Sequence, residues 1–554
     1  MSANSDQRGG QARAIARDMV ARVQRVWGES PFYQARLKGP APDRLYFQPV
    51  DPRMPDLAFA TSFAKGKVAV GEESIDCEGE LERIWDLAEP DSALFSYLHE
   101  FSWLKDLAAL GDAAKTPARK LLRAWLERYE NWSPEAWEPY ATAERLVQLC
   151  CHGPFMLQGG DALWRSRVLS SMARQTRHLE RAAHRAGGGF ERLMTAMALC
   201  VAGLCLPGCE TSAERGQELL RRELRLQIRP DGGHVSRNPS RQLAISVRLL
   251  MVLKAFESRR IQTPGYLRHV AGRAAAMAHF FRCGDGRLAV FNGGYEDDGR
   301  AVLAAFEAVE GDGMPTGFAR HSGYQRLAAA RALVILDVGG GAHAALSKRF
   351  DSVGAFHFSS GRSRIVVNCG SGAHLGGDWA RALARAAAHS TLSFDGFRPA
   401  APDNGVAPAA HRRAEDGRGL LVEIDRRLGG NGDADAQHIR RLFLLARGDD
   451  LRGEDRLVGL AEAAGRWRLR FHLHPSVRAS LARDGKTVIL ALPNREGWRF
   501  RTNCADISLQ RSIYCGEGGA PQAAEQIVLS GDGLEPGSHE DIVVRWAFRR
   551  LEGV

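Results

Sequence analysis

The hydrophobic period of this chain changes once, near residue 340, and that change limits the possible folds more than any other feature. Before it, apolar residues recur at helical spacing. In Arg241 to Phe256, Leu243, Val247 and Leu250 make one apolar stripe and Ile245, Leu249, Val252 and Phe256 make another, so both helix faces are occupied. Such a helix belongs inside a multi-helix layer. The same spacing recurs in Ser92 to Leu107, Ala141 to Cys151, Leu163 to Ala183, Leu193 to Leu206 and Ser322 to Leu336, with breaks at Gly187-Gly188-Gly189 and Leu206-Pro207-Gly208. Stacked helical hairpins make a bundle, a solenoid or a closed toroid, and spacing alone leaves all three open. Phe95, Tyr97, Phe101 and Trp103 read as core rather than as sugar platforms, since large rings usually serve burial.

After the change the apolar residues alternate. Ser363 to Asn368, Gly419 to Leu428, Ile439 to Ala446, Trp467 to Leu473, Thr487 to Leu492, Ile507 to Tyr514, Gln526 to Leu529 and Ile542 to Phe548 are short, rich in β-branched or aromatic residues, and bounded by Gly, Asp, Asn or Pro. Short strands without intervening helices predict an antiparallel β-sandwich. The boundary falls between Val338 and Gly341, and at 554 residues two large domains are expected.

The chain is 44% hydrophobic and 25% charged, which excludes the disordered and membrane-spanning classes. Its net charge of +10 favours acidic partners. The arginines are scattered, with no long basic run and no aromatic-interleaved stripe, so nucleic acid is the weaker partner. The ten cysteines lie mostly in apolar segments without paired CxxC spacing and read as buried free thiols. The polar start has no apolar h-region and no stretch is long enough to span a bilayer, so no export signal is visible and the compartment stays open between cytoplasm and cell envelope.

Four strings carry a family resemblance. Pro230-Asp231-Gly232-Gly233-His234-Val235-Ser236-Arg237-Asn238-Pro239 resembles a loop opening a central toroid helix in heparinase II/III-like proteins, and Arg364 to Gly370 resembles their first sandwich strand. His389-Ser390-Thr391-Leu392 with Asp395-Gly396 is similar to the family's His-Asn-Thr element, and Arg470 to Pro475 to a strand of its bacterial members. The resemblance implies an (α/α) toroid over residues 91–338, after an N-terminal extension over 1–90, and a β-sandwich over 339–554. It also implies a polysaccharide lyase acting on an acidic, uronate-containing glycan.

Such lyases work by β-elimination, which requires a group to neutralise the uronate carboxylate, a base for the weakly acidic α-proton and a donor for the leaving oxygen. Three departures from the family pattern bear on this. Where the family carries an Asn-His pair, this chain has Gly189-Phe190-Glu191, and Glu191 repels an acidic sugar. Where active members carry Tyr-His, it has Arg241-Gln242; an arginine can neutralise a carboxylate but cannot carry the proton at neutral pH. Where the family's metal-like site draws on two histidines and a carboxylate, His343 and His389 are candidates but Asn368 stands in the acidic place, so zinc is a weak expectation and no cofactor is firmly implied.

The candidate proton carriers are therefore His389, His343 and Tyr295, and the candidate sugar contacts are His234, Arg237, Asn238, Arg241, Asn292 and Tyr324. Each has a plainer reading: His234 as a capping or solvent-facing residue, Asn238-Pro239 as a helix start, Asn292-Gly293 as a tight turn, His389 as a satisfied strand histidine. His472 and His474 alternate along a strand and read as structural beside Arg470. Two functions follow: a lyase-like protein acting on an acidic polysaccharide, and a non-catalytic protein that binds one in envelope or exopolysaccharide metabolism.

Overall fold

The computed structural model describes residues 25–71, 73–90, 92–300, 303–304, 317–339, 350–394, 410–427, 437–459, 466–532 and 541–551. The chain divides into two compact units, one of residues 1–224 and 251–263, the other of residues 225–250 and 264–554.

The first unit is helical. Its long helices are α1 (Asp112–Tyr129), α2 (Pro139–Leu157), α3 (Ala162–Ala182) and α4 (Phe190–Cys205), with α5 (Glu210–Gln227) closing it and part of α6 (Pro239–Ser258) returning to it. Sequence signals set their ends. The Asp161 carboxylate accepts the Trp164 N–H to start α3 at 2.7 Å, Gly189 turns into α4 at φ 72°, and Pro207-Gly208 follows its last turn. The expected helix over Ser92 to Leu107 is two, Ala93–His99 and Leu104–Ala109, because Phe101 between them adopts φ 57°. Phe101 and Trp103 are fully buried, as core residues should be. Lys67–Val70 and Glu73–Asp76 add a hairpin not foreseen.

The second unit holds α7 (Gly265–Phe280) and two large antiparallel sheets. One sheet runs, in spatial order, from Asp506–Tyr514 through Gln522–Asp532, Arg466–Leu473, Ser363–Val367, Phe356–Ser360, Ala332–Asp337 and Tyr324–Ala329 to Phe318–Ala319. The other orders Arg478–Leu481, Thr487–Ala491, Gly497–Thr502, Ile542–Arg550, Asp450–Val458, Gln437–Leu445, Gly419–Arg427 and Ala410–Asp416. Both contribute to one core, where Phe356 stacks on Trp546 at 5.6 Å and Phe358 meets Trp498 edge-on at 5.2 Å.

One expectation is corrected here. Ser322 to Leu336 is not a helix but a β-hairpin, Tyr324–Ala329 paired with Ala332–Asp337, so among the described residues the strands of this unit begin at Phe318 and Arg364 to Gly370 is not the first of them. The hairpin escapes its usual signal because its turn is Ala330-Arg331, with Ala330 at φ 47° where glycine is normal.

A buried polar knot inside the sandwich fixes two segments of the candidate site. Asp455 accepts from His438 Nε2 and Arg440 Nε at 2.7 Å each and from Trp546 Nε1 at 2.8 Å. Arg440 then donates to the carbonyls of Gly354 and Ser390, and Arg426 to those of Val353 and Leu392. The second sheet thus holds the two segments that carry Ser352 and His389.

Candidate functional site

The Pro230 to Pro239 loop is pinned at both ends. Asp231 accepts the backbone N–H groups of His321 and Ser322 at 2.8 and 2.6 Å, and Gly232, at φ 87°, leaves no room for a Cβ, which would lie 2.1 Å from the Arg273 carbonyl. His234 Nε2 lies 2.9 Å from Gln227 Oε1 and Nδ1 lies 2.7 Å from Ser236 Oγ, so both ring nitrogens are engaged inside the loop. Burial holds its pKa down to about 3, so the ring is neutral. Asn238 caps α6 by accepting the Arg241 N–H at 3.0 Å and donates to the Asn292 carbonyl at 3.1 Å. Arg241 lies half-buried in the first turn of that helix.

Arg237 sits at φ 57°, a strained position for a long side chain, and its guanidinium is buried. It forms an ion pair with the fully buried Asp337, donates to the carbonyls of Ser322 and Gly323 at 2.8 and 3.1 Å, and stacks 4.6 Å over the Tyr324 ring. The Tyr324 hydroxyl donates to the Arg237 carbonyl at 2.7 Å and accepts from Asn292 Nδ2 at 2.5 Å; burial raises its pKa. Ser352 Oγ completes the network at 2.8 Å from both Asn292 Oδ1 and Asp337 Oδ2. Asn292 and Gly293, at φ 47° and 78°, form the tight turn their sequence predicts. Arg237, Asn238, Asn292 and Tyr324 therefore come together, with their polar groups turned toward one another.

His389 differs from all of these. It is 2% exposed, and neither ring nitrogen has a hydrogen-bond partner among the described residues. Burial holds its pKa down to about 4, against the opposing pull of Asp337, so it is a neutral imidazole with an available lone pair. Phe350 meets it edge-on at 6.2 Å, and the same ring covers Gly293, where a Cβ would lie 2.7 Å from it. The imidazole thus faces the neighbourhood of the Asn292 turn. His343 lies outside the described residues.

Tyr295, three residues after Asn292, has an unforeseen partner. Its hydroxyl lies 3.1 Å from His374 Nδ1, and His374 Nε2 lies 2.8 Å from the Gly519 carbonyl. A carbonyl only accepts, so Nε2 carries the proton and Tyr295 donates to Nδ1. Asn368 donates to the Val290 carbonyl at 2.9 Å and accepts the Ser390 N–H at 3.0 Å, so both halves of its amide serve the backbone and neither is directed to an ion. Glu296, His474 and Glu517 bring three ligand atoms within 4.8 Å of one another, but Arg364 lies 3.3 Å from Glu296 and already supplies positive charge there. His472 is bonded to Ser512 and the Ala387 carbonyl. Asp337, Phe350, Ser352 and His374 were not singled out from the sequence, where Asp337 only ends an apolar run.

Known proteins share this architecture. Heparinase III superposes with a TM-score of 0.70 at 15% identity over 96% of this chain and 92% of that one. A heparan sulfate lyase from Pedobacter heparinus superposes with a TM-score of 0.59 at 15% identity over 94% and 88%. Residues 312–547 match the family described as "Heparinase II/III-like, C-terminal". The chain belongs to the heparinase II/III-like family. FtsZ-localized protein C of Caulobacter vibrioides is 30% identical over 576 residues, spanning 98% of this chain and 96% of that protein. This heparinase II/III-like protein thus has the lyase fold, with helices first and antiparallel sheets second.

Proposed function

We propose that this protein holds an acidic, uronate-containing polysaccharide at the site around His389. The observation that carries the reading is the buried imidazole whose two nitrogens have no partner among the described residues, because a buried polar group without a partner costs about 1–3 kcal/mol unless a ligand satisfies it. The lyase fold and the basic balance of the chain support a glycan of that charge. Tyr295 and Arg241, half-buried beside the same turn and helix start, are the further contacts proposed. Arg237, Asn238, Asn292 and Tyr324 act by shaping the site, and His234 by fixing the loop that bears Arg237 and Asn238. The test is retention on an immobilised anionic glycan: His389→Ala should elute earlier than wild type, and identical elution would remove the site.

Catalysis by β-elimination is the second reading, favoured by the Tyr295–His374 pair. Neutral His389 would take the α-proton and the Tyr295 hydroxyl, held in place by His374, would protonate the leaving oxygen, the tyrosinate then regaining a proton from solvent. Against it, the guanidinium of Arg237 is matched by Asp337 and so does not neutralise a substrate carboxylate. Ultraviolet absorbance of unsaturated product across heparan sulfate, alginate, hyaluronan and bacterial exopolysaccharides decides it; silence across that panel leaves binding as the function. The name of FtsZ-localized protein C places that relative with FtsZ, and by analogy the glycan held here would be one at a division site.

A further inference from the structure

The helical unit carries a cavity of about 480 Å³ lined by four arginines, Arg36, Arg181, Arg185 and Arg215, and by the rings of Trp27 and Tyr33. Behind Tyr33 its wall is an uncharged hydrogen-bonded pair. The Tyr33 hydroxyl lies 2.6 Å from His178 Nδ1, and His178 Nε2 lies 2.9 Å from the Trp137 carbonyl. The carbonyl fixes the proton on Nε2, so Tyr33 donates to Nδ1 and turns its oxygen lone pairs outward. Arg185 and Arg181 stand next to that hydroxyl. Burial keeps His178 uncharged, with its pKa pushed down to about 3, so neither ring of this pair balances the arginines.

Among the described residues Arg215 is balanced by Glu180 at 2.5 Å, whose other oxygen accepts from Ser212, but the other three are not balanced by their partners. Arg181 donates to the Arg177 carbonyl at 2.7 Å, which carries no net charge. Among the described residues no carboxylate lies within ion-pair reach of Arg36 or Arg185. Guanidinium groups that converge on one cavity without counter-charge repel one another, and an anion that bonds two of them relieves the repulsion. Trp27, 47% exposed and 6.3 Å from Tyr33, offers a flat apolar face beside them.

We propose that this cavity binds an acidic saccharide, its anionic groups on Arg36 and Arg185 and a sugar ring on Trp27. The proposal rests on the reading of the protein as a holder of acidic glycan, and it adds a second contact for that glycan within the helical unit. The test is titration calorimetry of the full-length protein with two probes, a glucuronate-containing tetrasaccharide and inorganic phosphate. The double variant Arg36→Ala/Arg185→Ala should weaken both probes by about ten-fold or more, the loss expected for charge-assisted bonds. Trp27→Ala should weaken the tetrasaccharide and spare phosphate. Tetrasaccharide affinity unchanged in the double variant but lost in His389→Ala would reject the cavity and keep the His389 site; no tetrasaccharide binding by wild type would reject both. Phosphate binding alone would overturn the saccharide assignment. So would sedimentation with anionic phospholipid vesicles that Trp27→Ala abolishes and the tetrasaccharide fails to compete.

Discussion

His389 and Arg237 are both buried and polar, yet their hydrogen-bond states are opposite, so their removal should have opposite effects on stability. His389 satisfies neither nitrogen among the described residues, and replacing it by a hydrocarbon removes an uncompensated desolvation cost. His389→Leu should therefore raise the free energy of unfolding by about 1–3 kcal/mol while weakening glycan retention. Loss of stability in urea titration would mean that the ring is bonded after all. Arg237 is the reverse case. Arg237→Ala leaves Asp337 charged and unpaired in the interior, a change that costs about 3–5 kcal/mol, whereas the joint replacement Arg237→Met and Asp337→Leu should restore most of it. If the double variant is no better than the single one, the strained backbone at Arg237, rather than the ion pair, is what the guanidinium network supports.

Among the elements, the hairpin from Tyr324 to Asp337 shows most plainly what a sequence hides. Ala330 occupies a left-handed position at a cost of about 1 kcal/mol, so Ala330→Gly should raise the free energy of unfolding in urea by about that amount; an unchanged or lower value would show that unfolded-state entropy outweighs the strain. The same substitution would have made the turn visible. Strands with one wet face were legible: Gly419–Arg427 and Gln437–Leu445 alternate as read. Phe356–Ser360 and Ala332–Asp337 were not, because both of their faces are buried and nothing alternates. Asp450–Val458 was hidden for another reason. Its inward positions include Gly453 and Asp455, and an inward aspartate makes sense only once Arg440, His438 and Trp546 are seen around it. The site divides likewise. The Asn292-Gly293 turn and the capping role of Asn238 could be read locally. The Arg237–Asp337 pair spans 100 residues of sequence, and no local pattern reveals a partner at that separation.

For the whole molecule, the buried histidines set the response to acid. In the sheet-bearing unit, burial lowers the pKa of His389 and His438 to about 4 and of His234 and His472 to about 3, below the unfolded value of 6.5. As pH falls through the unfolded value, the unfolded chain gains protons that the folded chain refuses, so stability is full above that pH and declines toward the folded values. The depressed carboxylates act in a different window: Glu296, held near 2 by His474, Arg364 and Tyr514 against its burial, contributes stability that is lost only below its ordinary value of 4.5. Between about pH 6.5 and about pH 5 the histidines thus dominate, each adding up to about 1.4 kcal/mol per pH unit to the slope. Urea unfolding followed on Trp467, Trp498 and Trp546 should show stability falling steeply across that interval. His472→Gln should flatten the slope by at most one histidine's share, whatever it does to stability at neutral pH. A level profile from about pH 7 to about pH 5 would mean that these rings are solvated or already protonated in the fold, and with that the neutral, ligand-accepting state of His389 would lose its basis.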